Sequence, residues 1–318
     1  MKKRRSISLI QYFQFKIQMC LARRSNRQPV ISKILLVSLY VLMYLDKFGK
    51  KVMSLVKKFW SETKIFLAKC NDRHPVILKI TLAVLSMISF AFFFKICFPF
   101  DLLTSGKLGI MLIVLIYVHE QGHAWAFKKC GISVKGIFFI PFLGAVTMSQ
   151  TDSKTDFEQN TSHTAEAFIY FMGPIWGLIL GVIATGVYIL TDIRLFADIA
   201  FWSVFLNLFN LVPLMPMDGG GVVKAIGFSV KRWFGLVLMG IFILAAFVLS
   251  CVFIQGWVGW LVVSIILLMA INDLRNEYIL RKCPDNRPLM SRKMIVIFTF
   301  AYLVSIVIFC GIIYLISF

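Results

Sequence analysis

The chain has 318 residues, of which 59% are hydrophobic and 15% charged, and its formal net charge is +19. Soluble globular domains are usually about 45–50% apolar and about 25% charged, so this composition excludes a water-soluble domain and an intrinsically disordered chain. The seven cysteines are scattered and form no CxxC pair, which argues against a disulfide framework and a cysteine zinc site.

The first 75 residues form a basic N-terminal region. It begins with MKKRRS in the manner of a signal peptide, but Gln11 and Gln14 interrupt the apolar stretch and no small-residue cleavage site follows, so we expect it to be retained. The apolar run 31–45 is short for a hydrocarbon core of roughly 30 Å, and it is either an interfacial helix or a short span. We predict that 1–75 lies in the cytoplasm or on the membrane surface.

Seven apolar runs further along the chain are long enough to cross a bilayer. They lie at about 76–98, 107–127, 166–190, 196–213, 233–254, 257–272 and 294–317. With seven crossings and a cytoplasmic N-terminus, 31 of the 34 Lys and Arg fall in cytoplasmic segments, as the positive-inside rule requires. The basic excess therefore indicates a lipid bilayer with anionic headgroups as the partner, and no nucleic acid. We expect a multi-pass protein of a bacterial cell membrane.

The second of these runs carries the most informative motif, HEQGH at 119–123. His119 and His123 are four residues apart, so on a helix they project from one face and can bind one zinc ion. Glu120 follows the first histidine and can reach a water molecule at that ion. These side chains are unfavourable in an apolar span unless they have a partner or a function. The alternative is a polar cluster that packs two helices.

The segment 132–149, between the second and third spans, is rich in β-branched and aromatic residues and is punctuated by Pro141 and Gly144. It is either a strand that offers an edge to an extended substrate or a hydrophobic surface loop. On the first interpretation, Gly144 is a candidate substrate contact. The polar segment 150–165 that follows is predicted to be a loop in which His163 is solvated and exposed; the alternative is a histidine that gates access or contacts substrate.

A catalytic zinc site needs a third protein ligand and one open position. The acidic candidates downstream of HEQGH are Asp152, Asp156, Glu158, Glu166, Asp218 and Asp273. Asp218 ends the apolar run 201–220, and counting the crossings puts it at the same end of a parallel span as the two histidines. Pro213 and Pro216 would break the helix beside it. Asp218 is therefore the predicted third ligand; the alternative is an ordinary aspartate at a helix end.

HEQGH in a membrane span, followed by NLVPLMPMDGG, resembles the site-2 protease family of intramembrane zinc metalloproteases. The family pattern is HExxH on one span and N-x-x-P-x-x-x-x-D-G on a later one. Asn210, Pro213, Asp218 and Gly219 match the second part with the same spacing. FMGP at 171–174 resembles the family's Gly-Pro element.

The resemblance covers about residues 107–225. Together with the seven apolar runs, it predicts an all-α polytopic membrane protein with about seven spans in total. Its three-span catalytic core would consist of 107–127, 166–190 and 196–213, and 128–148 would be a membrane-associated strand or hairpin. The chain then divides into the N-terminal region 1–75, an accessory span and outer loop at 76–106, the metalloprotease core at 107–225 and three accessory C-terminal spans at 226–318.

The resemblance also implies the roles of four residues in the core. His119, His123 and Asp218 would ligate one Zn²⁺ per chain. Glu120 would be the general base and would later protonate the leaving amine.

Three further residues are candidates for substrate binding. Asn210 would hold the substrate backbone or polarise its carbonyl, and the alternative is an amide that bridges two helices. Asn207, one turn earlier, is a weaker candidate, and Gly144 belongs to the possible substrate-binding strand.

The predicted function is an intramembrane zinc endopeptidase whose active site opens to the cytoplasm. Its partner would be a membrane-embedded protein or hydrophobic peptide, which is cut to release a cytoplasmic regulator or to mature a peptide. The alternative is a catalytically silent membrane protein that binds hydrophobic partners. A transporter is disfavoured, because the last three spans carry almost no ionisable side chains. The sequence predicts no oligomeric state.

Overall fold

The structure, a computed structural model, describes residues 75–97, 100–141, 144–149, 161–253, 257–280 and 287–317. The predicted N-terminal region, including the run 31–45, lies outside them except for its last position. The described residues form eight helices and one two-stranded sheet. In chain order the elements are α1 (Pro75–Cys97), α2 (Leu102–Lys129), β1 (Val134–Ile140), β2 (Gly144–Ser149), α3 (His163–Thr191), α4 (Arg194–Asn210), α5 (Asp218–Val230), α6 (Arg232–Phe253), α7 (Trp257–Leu280) and α8 (Arg292–Ser317).

Five of the described helices, α1, α2, α3, α6 and α8, are long and apolar enough to cross a membrane. The chain is therefore a multi-pass, mostly helical membrane protein, as predicted. Helix α4 has 17 residues, about 26 Å at 1.5 Å per residue, and α7 carries charged residues toward its end. The total of seven spans and the three-span core stay predictions.

The helices begin and end where local sequence signals place them. Helix α2 begins five residues before the predicted 107, because the Asp101 carboxylate accepts the backbone N–H of Thr104 and caps the first turn. Helix α3 begins behind Ser162, whose hydroxyl accepts the N–H of Ala165. Helix α4 ends three residues before the predicted 213, since the residue before a proline is disfavoured in helical conformation.

The segment after α2 forms an antiparallel hairpin, which was one of its two predicted interpretations. The register runs from Ile140 opposite Gly144 to Val134 opposite Ser149. Gly144 has a φ of +103°, a conformation that side chains with a Cβ rarely adopt, so glycine permits β2 to begin there. Strand β1 packs against α1 and α2, and β2 packs against α2.

Helix α3 lies at the centre of the bundle and packs against α2, α4, α5 and α8. Apolar burial drives helix association weakly in lipid, so close packing depends on small residues. A Cβ on Gly122 of α2 would lie 2.2 Å from the carbonyl oxygen of Met172 on α3. Gly122 therefore sets how closely the helix that carries HEQGH approaches α3.

Ionisable side chains are also buried away from HEQGH. The Nζ of Lys224, on α5, lies 2.6 Å from a carboxylate oxygen of Glu277 and 3.5 Å from one of Asp273, both on α7. Lys224 is 2% exposed. The apolar span predicted to end at 272 therefore continues as a helix through these carboxylates, because Lys224 compensates their charge.

The prediction that His163 is exposed in a solvated loop is wrong. His163 is the first residue of α3 and is 0% exposed. Its backbone N–H donates to the carbonyl of Pro288 at 3.1 Å, and its Nδ1 lies 3.6 Å from an oxygen of Glu166, which also pairs with Arg287 at 3.1 Å. The burial arises from contacts between segments far apart in the chain.

Candidate metal centre

Helix α2 carries three buried ionisable side chains. His119, Glu120 and His123 are 4%, 7% and 8% exposed. His123 lies six residues before the end of α2, about 9 Å along the axis at 1.5 Å per residue. The group is therefore inside the bundle, one to two turns below a helix end that carries Lys128 and Lys129.

Asp218 reaches the same place from another part of the chain. Helix α4 ends at Asn210, the chain turns through 211–217, and Asp218 is the first residue of α5. Tyr302 of α8 holds the turn, since its hydroxyl donates to the carbonyl of Leu211. The N–H of Met217 donates to the carbonyl of Leu214 at 2.8 Å. These contacts determine where α5 begins and where its first carboxylate lies.

Three side-chain atoms converge at this place. His119 Nε2 lies 3.0 Å from Asp218 Oδ2, His123 Nε2 lies 3.3 Å from the same oxygen, and the two Nε2 atoms are 3.1 Å apart. Ligands at about 2.0–2.1 Å from a tetrahedral ion are about 3.3 Å from one another. The three residues, the candidate metal-binding group, have the spacing that one small divalent cation requires and could hold one.

The donor set fits zinc. Two imidazole nitrogens and one carboxylate oxygen are the ligands of hydrolytic zinc sites, which keep a fourth position open. Magnesium and calcium prefer all-oxygen sites. Asp218 Oδ2 is buried and, among the described residues, has no hydrogen-bond partner, so its lone pairs are available to a cation.

The second ring nitrogen of each histidine is held by an acceptor. His123 Nδ1 lies 2.8 Å from the carbonyl oxygen of Ile169, which can only accept, so Nδ1 carries the hydrogen and donates it. His119 Nδ1 lies 2.7 Å from Asn207 Oδ1. With Nδ1 protonated, each neutral imidazole presents the lone pair of Nε2 to the centre, as a metal ligand must.

Asn207 is hydrogen-bonded to His119, and its predicted contact with substrate stays a prediction. Its amide nitrogen donates to the carbonyl of Ser203 at 2.7 Å, and this fixes Oδ1 toward His119. Asn207 is 0% exposed. Both the oxygen and the nitrogen of the amide are therefore hydrogen-bonded inside the bundle. Asn207 contacts His119 at Nδ1, the ring nitrogen that faces away from Asp218.

Two glycines of α3 make room for these side chains. A Cβ on Gly173 would lie 2.3 Å from His123 Nε2 and 2.8 Å from His119 Cε1. A Cβ on Gly177, one turn later, would lie 1.8 Å from the amide nitrogen of Asn207. The FMGP segment noted in the sequence thus places a glycine directly against both histidines.

Glu120 is held from the hairpin. The hydroxyl of Thr147, on β2, lies 2.6 Å from Glu120 Oε2 and 3.1 Å from the carbonyl oxygen of the same residue. Sequence reasoning missed this contact, although Thr147 is a polar residue between the apolar Val146 and Met148 on a predicted strand. Tyr302, a polar group in an apolar span, was a similar signal for the turn before Asp218.

The two other predicted substrate contacts lie outside the metal-binding group. Asn210 is the half-buried last residue of α4. Gly144 begins β2, and the described residues leave open space where its Cβ would be. Their roles in substrate binding stay predictions.

Comparisons with known proteins cover the middle of the chain. Residues 107–193 match the model of peptidase family M50. The chain is 26% identical over 148 residues to the zinc metalloprotease MJ0392 of Methanocaldococcus jannaschii, over 44% of this chain and 41% of that protein. It is 30% identical over 125 residues to a Mycobacterium tuberculosis protein named as a zinc metalloprotease, Rip3, over 37% of this chain and 30% of that protein. The chain thus spans less than half the length of the curated relatives it matches.

Proposed function

Because the chain belongs to the site-2 protease family, peptidase family M50, we propose that it is an intramembrane zinc endopeptidase. It hydrolyses a peptide bond in or near a transmembrane segment of a membrane protein or hydrophobic peptide. The observation that carries this proposal is the convergence of His119 Nε2, His123 Nε2 and Asp218 Oδ2 within 3.3 Å of one another in a bundle of apolar helices.

In this proposal His119, His123 and Asp218 hold Zn²⁺, which acts when bound as a Lewis acid toward water and the scissile carbonyl. Glu120 moves the proton. Its carboxylate accepts a proton from the attacking water and later delivers it to the nitrogen of the leaving amine, so the amide bond breaks as the new carboxyl group forms. The buried Asn207 and the carbonyl of Ile169 keep both imidazoles in the required tautomer.

The hairpin would present the substrate to this centre. A peptide bond in a membrane helix is hydrogen-bonded within its own helix, so the substrate must be unwound before it is cut. Within the described residues the sheet has two strands, and each strand has one edge that its partner does not use. An extended substrate would pair with the edge of β2, and Asn210 would hold its backbone nearer the metal.

The centre would open to the cytoplasm. The metal-binding group lies near the end of α2 that carries Lys128 and Lys129, and basic residues favour the cytoplasmic side of a membrane. In this orientation the cut would lie near the inner face of a bacterial cell membrane. Cleavage there would release a cytoplasmic regulator or mature a membrane peptide.

The proposal is tested by mapping new protein N-termini in membranes that contain either the wild-type chain or Glu120→Gln. We expect termini inside or beside transmembrane segments with the wild type and their loss in the variant. Asp198→Asn is a matched control, because Asp198 is an exposed carboxylate on α4; it should leave the termini unchanged. The same termini in the Glu120→Gln sample, or none with the wild type, would contradict the proposal.

Crosslinking in the same membranes distinguishes the proposed protease from the alternative, a catalytically silent binding protein. A protease whose Glu120 is replaced should accumulate the intact forms of the proteins whose new termini appear with the wild type. A silent binder would retain identical intact partners with either chain.

A further inference from the structure

Among the described residues, Thr147 is the one side-chain hydrogen-bond donor to the carboxylate of Glu120. We propose that Thr147 is a positioning residue that sets the orientation of Glu120, so that the strand which receives the substrate also aims the general base. This inference rests on the proposed endopeptidase function.

The hydroxyl favours the carboxylate over the carbonyl as its acceptor. Thr147 Oγ1 has one hydrogen and two acceptors within reach, Glu120 Oε2 at 2.6 Å and the Glu120 carbonyl oxygen at 3.1 Å. A hydrogen bond to an ionised carboxylate is shorter and stronger than one to a neutral acceptor, and 2.6 Å is in the range of such bonds. The bond holds Oε2 and leaves Oε1 as the oxygen that can exchange a proton with water.

The hairpin fixes the hydroxyl in place. Strand β2 packs against α2, and Thr147 is paired with Ile137 on β1. Strand β1 is anchored in turn, because Phe138 is 3% exposed and the Nζ of Lys79, on α1, lies 5.7 Å from the centre of its ring. The position of Thr147 is thus determined by two helices and a neighbouring strand, not by its own rotamer alone.

Side-chain alternation along β2 links this bond to the substrate. Successive side chains of a strand point to opposite faces, so Thr147 faces α2 while Val146 and Met148 face the other way. A substrate that pairs with the edge of β2 adds backbone hydrogen bonds to the strand that holds Glu120. A substrate in the correct register would therefore stabilise the orientation of the base at the moment of cleavage.

Two substitutions at one position separate the hydrogen bond from packing. Thr147→Val keeps the β-branched shape and removes the donor, whereas Thr147→Ser keeps the donor and removes a methyl group. With a synthetic transmembrane peptide in detergent, labelled with a fluorophore and a quencher, as the probe, we expect Thr147→Val to lower kcat by roughly 10–100-fold with little change in KM, while Thr147→Ser retains most of kcat. Zinc content should be unchanged in both.

A second readout does not depend on turnover. The infrared difference between the metal-free wild type and metal-free Glu120→Gln isolates the carboxylate band of Glu120. That band should shift in Thr147→Val and keep its position in Thr147→Ser.

Several results would overturn the inference. They are a normal kcat in Thr147→Val, equal losses in the Val and Ser variants, or an unshifted band in Thr147→Val. Full activity of Glu120→Gln would instead reject the proposed function, so the two failures can be told apart.

Discussion

Two buried carboxylate sites share helix α5 and differ in where their cation comes from. At the start of α5, Asp218 directs toward the two histidine Nε2 atoms an oxygen that has no hydrogen-bond partner in the described part of the chain. Six residues later, Lys224 brings its own positive charge to Asp273 and Glu277 of α7. The first site is complementary to an added cation, and the second already contains one. A buried acidic group thus indicates a metal site when its neighbours are neutral donors, and a structural contact when a lysine compensates it.

Replacing Glu120 should have the largest effect on the cleavage rate, and it should leave the zinc ion and Lys224 in place. Glu120→Gln should reduce cleavage of the labelled transmembrane peptide by about 10²–10⁴-fold, because a positioned acid–base group contributes about that much. Zinc content should stay at the wild-type level, since Glu120 is not part of the metal-binding group. Rate assays and metal analysis on the same preparation check both statements; a fully active variant would rule out Glu120 as the base.

Removing the internal cation should lower stability and spare the zinc. Lys224→Met leaves two buried carboxylates without that lysine, which typically destabilises a protein by about 3–5 kcal/mol. Thermal unfolding in detergent should show a lower Tm, while the folded fraction keeps its metal. The compensated variant Lys224→Met/Asp273→Asn/Glu277→Gln should recover much of the lost Tm. A single variant that unfolds normally but loses zinc would mean that the two sites are coupled.

Adding one methyl group to α3 tests whether the close packing against the two histidines is needed for zinc binding. In Gly173→Ala the new Cβ would meet His123 Nε2 at 2.3 Å, so one imidazole must move and zinc affinity should fall by about 10–100-fold. Gly186→Ala is the matched control on the same helix, because nothing described lies within 4 Å of its Cβ position. Zinc titration against a competing chelator compares the two. Equal affinities would show that α3 does not constrain the histidines.

The smallest expected effect concerns Asn207. Asn207→Leu removes the acceptor for His119 Nδ1 and leaves all three ligands present, so zinc affinity should fall by about tenfold. Asn207→Asp keeps an acceptor and should lose less. If Asn207 contacts substrate instead, Asn207→Leu should raise KM at unchanged zinc affinity.

The sequence predicts the parts of this architecture that depend on local spacing. The i, i+4 histidines of HEQGH and the prolines after α4 are patterns within a few residues. The meeting of Asp218 with the histidines was also predictable, because counting membrane crossings fixes which helix ends lie on the same side.

Contacts between segments far apart in the chain could not be predicted from local sequence patterns. His119 and Asn207 are 88 residues apart, and no pattern in either helix indicates that the amide of Asn207 would orient the imidazole of His119. Thr147 reaches Glu120 because of the hairpin's register. The burial of Lys224 and His163 depends on α7 and on residues 287–290 folding back over the core. His163 was predicted to be solvated, because its partners Glu166 and Arg287 could not be recognised from the local sequence.

Metal analysis of the purified full chain tests the central claim most directly. The wild type should contain about one zinc per chain, with X-ray absorption showing imidazole nitrogens at about 2.0–2.1 Å. His119→Ala, His123→Ala and Asp218→Ala should each lose most of this zinc, whereas Asp273→Ala should keep it. Full zinc occupancy in Asp218→Ala, or a wild type that does not bind zinc, would contradict the assignment of the metal centre.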